Sequence, residues 1–295
     1  MSLENETLNL LACQIDIPPT PDAAARDRHL ADTATKLRKQ LAAQDTDIVV
    51  LPELSSIDYS RAAFDHLDEI SEPLDGISFQ TWRAVAIEFG VYISYSFARR
   101  DAEKTFISIA VVAPDGRLVG HYDKLHLCQY GASMEKEYFE AGSHLFTFQV
   151  KGYTLSPIIC YDIRFPELGR TLVLKHGVDV ILHAGAYFRD PSFPTWHAFA
   201  MTRAIENQCF LLSLNRAGQN YGNSLFCYPW MDGNQGPQHF SEYDEDFRHL
   251  QVERHRLSKA RANYTFLQDR WDSYDLPCKT HLEFRQSDAA GKKPS

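Results

Sequence analysis

What the sequence lacks narrows its reading first. Its six cysteines, Cys13, Cys128, Cys160, Cys209, Cys227 and Cys278, form no C-x-x-C pair and no zinc-knuckle spacing. Free thiols in a reducing cytoplasm, with no bound metal, are therefore expected. No hydrophobic run approaches a membrane span. The acidic opening Met1-Ser2-Leu3-Glu4-Asn5-Glu6 lacks the basic start of an export signal. Basic residues form no cluster long enough to follow a phosphate backbone, and 39 acidic against 30 basic residues leave a net charge of −9, which argues against a nucleic-acid partner. Repeats and a convincing linker are absent too. The 295 residues, 44% hydrophobic, read as a single domain over 1–286 and a frayed tail over 287–295.

What is present has an α/β rhythm. Apolar runs at Leu8–Ile15 and Ile48–Leu51 predict strands, and the amphipathic stretch Ala23–Ala43 between them predicts a helix. A helix over Ser78–Phe89 follows, then strands over Val91–Ala98, Thr105–Val112 and Leu118–Tyr122, the last two joined by the hairpin signal Pro114-Asp115-Gly116. Beyond a loop-rich stretch come strands at Leu145–Val150 and Thr154–Ile159. Helices at Pro166–His176 and Trp196–Asn207 are each followed by an apolar strand, Val178–His183 and Cys209–Asn215. Residues 228–264 mix charge and aromatics without a period and read as a weakly ordered excursion.

Cys160 stands just past an apolar strand and shortly before a helix that Pro166 can open. A thiol on so sharp a turn is exposed as a nucleophile, with a neighbouring backbone N–H to offer an oxyanion. An isolated cysteine is more commonly a small buried hydrophobe. Its company shifts the balance. Glu53 follows the buried run Ile48–Leu51 and Pro52, Lys124 follows the second strand of the hairpin, and Glu135 lies in the loop before Gly142. Singly, each reads as a surface charge. Together, a carboxylate takes the thiol proton and later activates water, while an ammonium holds a tetrahedral oxyanion.

These motifs carry a resemblance. Val50-Leu51-Pro52-Glu53, Tyr122-Asp123-Lys124-Leu125-His126 and Ile159-Cys160-Tyr161-Asp162-Ile163-Arg164-Phe165-Pro166 occur in the order found in the nitrilase, or carbon–nitrogen hydrolase, superfamily. The chain resembles that family over roughly Leu8 to Ser224. The resemblance implies a four-layer αββα sandwich, usually a homodimer, with no cofactor. It implies Cys160 as nucleophile, Glu53 as general base, Lys124 as oxyanion-stabilising lysine and the Tyr161 N–H as second oxyanion donor. Glu135, seven residues before Gly142, is implied as the second glutamate in preference to Glu137 or Glu140. Ala184–Phe188 is similar to the family's substrate loop, so Tyr187, Phe188 and Trp196 are candidates for the pocket wall, with core packing as the alternative for Phe188 and Trp196.

The sequence also departs from the family. Thr195 stands where relatives usually carry a histidine, and the chain after Ser224 lacks their usual turn. The nucleophile segment is similar to Nit-type amidases, including ω-amidases and deaminated-glutathione amidases. Glu135–Gly142 is more similar to N-carbamoyl amide hydrolases. Tyr161 replaces the tryptophan usual in true nitrilases. The nucleophile segment is given more weight because it lines the acyl pocket, so the expected substrate is a small aliphatic amide, and Arg164 binds its carboxylate if the side chain faces the pocket. Otherwise Arg164 is a structural ion pair. Two other readings are an inactive binding protein on this scaffold and a papain-type hydrolase using His126 or His197 as base.

Overall fold

The computed structural model describes residues 7–278 of the 295. In chain order the elements are β1 (Thr7–Gln14), α1 (Ala23–Ala43), β2 (Ile48–Val50), α2 (Arg61–Phe64), α3 (Leu67–Ile70), α4 (Ile77–Phe89), β3 (Tyr92–Asp101), β4 (Lys104–Val112) and β5 (Leu118–Asp123). Then follow β6 (Phe148–Val150), β7 (Tyr153–Ile159), α5 (Pro166–His176), β8 (Val180–Ala184), α6 (Phe193–Asn207), β9 (Phe210–Leu214), β10 (Leu225–Cys227), β11 (Gln238–His239), β12 (Asp246–Glu253) and α7 (Arg254–Asn263). One six-stranded sheet runs β12-β1-β2-β3-β4-β5 and the other β11-β10-β9-β8-β7-β6.

The central strands β2, β8 and β9 are buried along their whole length because both faces of each sheet are covered. From β1, Leu8, Leu10 and Ala12 meet Leu155, Leu182 and Leu212 of the opposite sheet, whereas Leu11 and Cys13 pack with Leu30 and Leu37 of α1 and Trp82 of α4. On the second sheet, Ile158, Ile181 and Leu211 take Leu172 of α5 and Ala200 of α6. The layers are therefore helix, sheet, sheet, helix. Local signals set the helix ends: the Asp22 side chain accepts from Ala25 N at 2.7 Å, and Gly177, at φ 66°, closes α5.

Residues 228–264 are a correction to the sequence reading. They carry β11, β12 and α7. β12 pairs antiparallel with β1 along its whole length, from Thr7↔Glu253 to Gln14↔Asp246, and Leu250, Val252 and Leu257 enter the core between the sheets. The strand is hidden in the sequence because only Leu250 and Val252 of its eight residues are buried; the rest are polar or half-exposed edge positions. Where one domain over 1–286 is expected, the chain parts into two compact units, the first ending at Asn263 and the second starting at Tyr264. The described part of the second unit contains α8 (Phe266–Asp269), with Thr265 Oγ1 donating to Asp269 Oδ2 at 2.7 Å. The expected tail at 287–295 lies outside the described residues. Among the described residues no helix is long and apolar enough to cross a membrane.

Candidate active site

β1–β2–β3 and β7–β8–β9 pair in parallel, and the C-terminal ends of parallel strands are where α/β proteins gather reactive groups. β2 delivers Glu53, β7 delivers Cys160, β8 leads into Tyr187 and β9 into Arg216. Cys160 begins a 3-10 turn, Cys160–Arg164, with φ 43°. That left-handed conformation costs a non-glycine residue about 1–2 kcal/mol, so neighbouring groups must hold it.

Two donors do so. The Cys160 carbonyl accepts from Tyr187 OH at 2.8 Å and lies 3.0 Å from His183 Nε2. A carbonyl only accepts, so His183 carries its proton on Nε2, which leaves Nδ1 to accept from Ser213 Oγ at 2.7 Å. Ser213 Oγ in turn accepts from Trp196 Nε1, also at 2.7 Å. Burial pushes His183 down to about 4, so the ring is neutral and the chain of donors runs in one direction.

The thiol of Cys160 is half-buried and opens to a cavity. Burial, and then the negative charge of Glu53, pushes it well above the usual thiol range, while Lys124 pulls the other way. At rest it keeps its proton. Lys124 Nζ donates to Glu53 Oε1 at 2.8 Å and to Glu135 Oε1 at 2.6 Å, and all three side chains are fully buried. Burial opposes the charge on Lys124, but Glu135 and Glu53 outweigh it and hold the ammonium protonated. Burial raises Glu53, with Lys124 opposing. Glu53 Oε2 has no hydrogen-bond partner among the described residues, so one buried oxygen is free to take a proton. Of the three loop glutamates, Glu135 reaches the lysine; Glu137 is exposed and pairs with Arg61, and Glu140 is exposed. Gly142 makes this geometry possible: a Cβ there would lie 2.2 Å from Asp123 O, and its N–H donates to Lys124 O at 2.8 Å.

Sequence reasoning missed several members of the site. Tyr59 OH donates to Glu135 Oε1 at 2.7 Å, and Cys128 N donates to Glu135 Oε2 at 2.8 Å. Arg216, 1% exposed, donates to the carbonyls of Glu53 and Leu54 at 3.1 and 2.7 Å, pinning Leu54 at φ 45°. Asp162 accepts from Ile159 N, His126 N and Tyr122 OH, tying the nucleophile turn to the segment after Lys124. None of these carries a local signal except Asp162, two residues past the cysteine.

The cavity, about 50 Å³, is lined by Cys160, Glu135, Tyr59, Arg164, Tyr187 and Phe188, among others. Arg164 does not form the structural ion pair held open as its alternative. Among the described residues its guanidinium meets only rings, Phe199 at 4.9 Å and Tyr130 at 5.6 Å. Trp196 needs correction as a wall residue. It is fully buried and stacks on Tyr187 at 4.6 Å and 5°, so it supports the wall from behind. His126 and His197, considered as bases, are engaged by Asp162 and by the Asn223 carbonyl. No cluster of three or more metal-ligating side chains exists among the described residues.

Comparison with known proteins agrees with this architecture. Residues 12–243 match the family described as carbon-nitrogen hydrolase. The chain is 37% identical over 191 residues to the 2-oxoglutaramate amidase of Bacillus subtilis, covering 62% of this chain and 71% of that protein. It is 30% identical over 254 residues to an (R)-stereoselective amidase of Pseudomonas sp., covering 84% and 88%. The structure of Saccharomyces cerevisiae Nit3 superposes with a TM-score of 0.78 at 23% identity, over 92% of this chain and 99% of that one. The chain belongs to the carbon–nitrogen hydrolase family, on the Nit-type amidase side of the nitrilase superfamily.

Proposed function

We propose that this protein hydrolyses a small aliphatic amide bearing a carboxylate, in the manner of an ω-amidase, through a thioester on Cys160. The observation that carries the reading is Lys124, fully buried between Glu53 and Glu135 beside the thiol. Cys160 attacks the amide carbon as its proton passes to Glu53 Oε2. The carbonyl electrons move onto oxygen, where Lys124 and the Tyr161 N–H hold the negative charge. The tetrahedral carbon then expels ammonia as Glu53 returns the proton to nitrogen. Glu53 next takes a proton from water, which attacks the thioester and releases the acid and the thiol. Glu135 fixes Lys124 in place. Arg164 receives the substrate carboxylate at the cavity wall.

The test follows ammonia release from small ω-amides by the wild type, Cys160→Ser and Glu53→Gln. Activity in the wild type and its loss in both variants supports the scheme. A papain-type enzyme would survive Glu53→Gln. The family resemblance further supports a homodimer, which light scattering checks, and the scattered free thiols support a cytoplasmic setting.

A further inference from the structure

The peptide unit that joins Cys160 to Tyr161 is gripped at its oxygen end. His183 of β8 stands opposite Ser213 of β9 and beside Ile158 of β7 in the sheet register, which brings ring, hydroxyl and nucleophile turn together. The chain of hydrogen bonds starts at the Trp196 indole, which can only donate, and ends on the Cys160 carbonyl, which can only accept. Ser213 and His183 therefore pass the donor role inward in one sense. Tyr187 OH adds a second donor to the same carbonyl at 2.8 Å. Trp196, Ser213 and His183 are fully buried, so bulk water does not compete along the chain.

The other end of that peptide unit is the Tyr161 N–H. Tyr161 is the second residue of the 3-10 turn, where a helical start leaves N–H groups without an intrahelical acceptor, and it lines the cavity together with Cys160. A donor on a peptide oxygen draws electrons through the conjugated C–N bond and makes the N–H at the far end a stronger donor. Building on the amidase reading, in which that N–H holds the oxyanion, we infer that His183 and Tyr187 are positioning residues that strengthen the oxyanion hole through the Cys160–Tyr161 peptide, with Trp196 and Ser213 setting the sense of the relay. An oxyanion donor is worth about a hundred- to a thousandfold in rate. One bond in a chain strengthens the next by about 10–30%, so each of the two donors contributes about two- to eightfold to kcat.

The test measures kcat and KM for succinamate and glutaramate, by ammonia release, beside the rate at which iodoacetamide alkylates Cys160, on the full chain and its variants. Acylation and thioester hydrolysis both pass through an oxyanion, so kcat reads the relay whichever step is slower. Alkylation displaces iodide at a saturated carbon, forms no oxyanion, and reads whether the thiol stays in place. His183→Leu and Tyr187→Phe are each expected to lower kcat by about two- to eightfold, and together by roughly tenfold or more, with KM and the alkylation rate within about twofold of the wild type. His183→Gln, which keeps a neutral donor toward the Cys160 carbonyl, holds kcat within about twofold. A fall in alkylation that matches the fall in kcat makes both side chains mere supports of the strained turn and overturns the relay. So does an unchanged kcat in Tyr187→Phe, the mildest change, which keeps its ring stacked on Trp196. Turnover by the wild type with either of those results leaves the amidase reading standing; release of no ammonia by the wild type overturns both.

Discussion

Acid should loosen the fold through His183, and the size of the effect follows from where the ring sits. Its two nitrogens are committed to the Cys160 carbonyl and Ser213 Oγ, and burial lowers it from the ordinary 6.5 to about 4. The unfolded chain takes a proton at this histidine as pH falls below about 6.5; the folded chain does so only near 4. The unfolded state therefore binds more protons in that window, and stability is fully present above 6.5 and lost on the way down. At about 1.4 kcal/mol per pH unit the loss by pH 4 is about 3 kcal/mol. Carboxylates titrate in the same range, so the measurement must be a difference. Urea unfolding of the wild type and of His183→Gln, from pH 7 to pH 4, isolates the ring, since glutamine keeps a neutral donor toward Cys160. The variant starts less stable by about 1 kcal/mol for the lost Ser213 bond, and the wild type then loses about 3 kcal/mol more than the variant. Parallel curves across the window would refute the reasoning.

Other outcomes follow from the same geometry. Lys124→Met leaves two buried carboxylates facing each other without a counter-charge, so thermal melts should show a loss of about 3–5 kcal/mol, partly restored by adding Glu135→Gln; its activity should fall by about a hundredfold or more. Tyr59→Phe removes one donor from Glu135 and should lower kcat by about tenfold, seen in steady-state kinetics, with little change in melting temperature. Leu250→Ala should cost about 2–5 kcal/mol in urea unfolding; a cost below about 1 kcal/mol would mean that β12 is not part of the core.

The elements that the sequence announces are those whose signals are local. Ala23–Ala43 appears as a helix with the same ends, because Asp22 caps it and its apolar face repeats regularly. Cys160, Glu53 and Lys124 were legible as a set because each lies within three residues of a strand's end, a visible break in an apolar run, and each stands in a motif that resembles the family's. β12 was not legible, since an edge strand tolerates arginine, histidine and glutamate on its half-exposed positions. Arg216 and His183 were not legible for a different reason. Arg216 acts on a carbonyl 163 residues earlier, and the role of His183 exists only once β8 and β9 lie side by side. For Trp196 the sequence leaves pocket wall and core packing both open, because its pattern shows that it is buried but not which side of Tyr187 it occupies; the structure takes the second.

The claim at the centre of the account is that Cys160 becomes an acyl thioester. The most direct measurement mixes the protein with a small ω-amide, quenches it in acid within the first turnovers and maps the added mass by peptide mass spectrometry. The account predicts ammonia release together with an acyl group on the peptide containing Cys160, absent in Cys160→Ser and accumulating when the attack of water is slowed. Ammonia release at an undiminished rate from Cys160→Ser, with no adduct on the wild-type peptide, would contradict it.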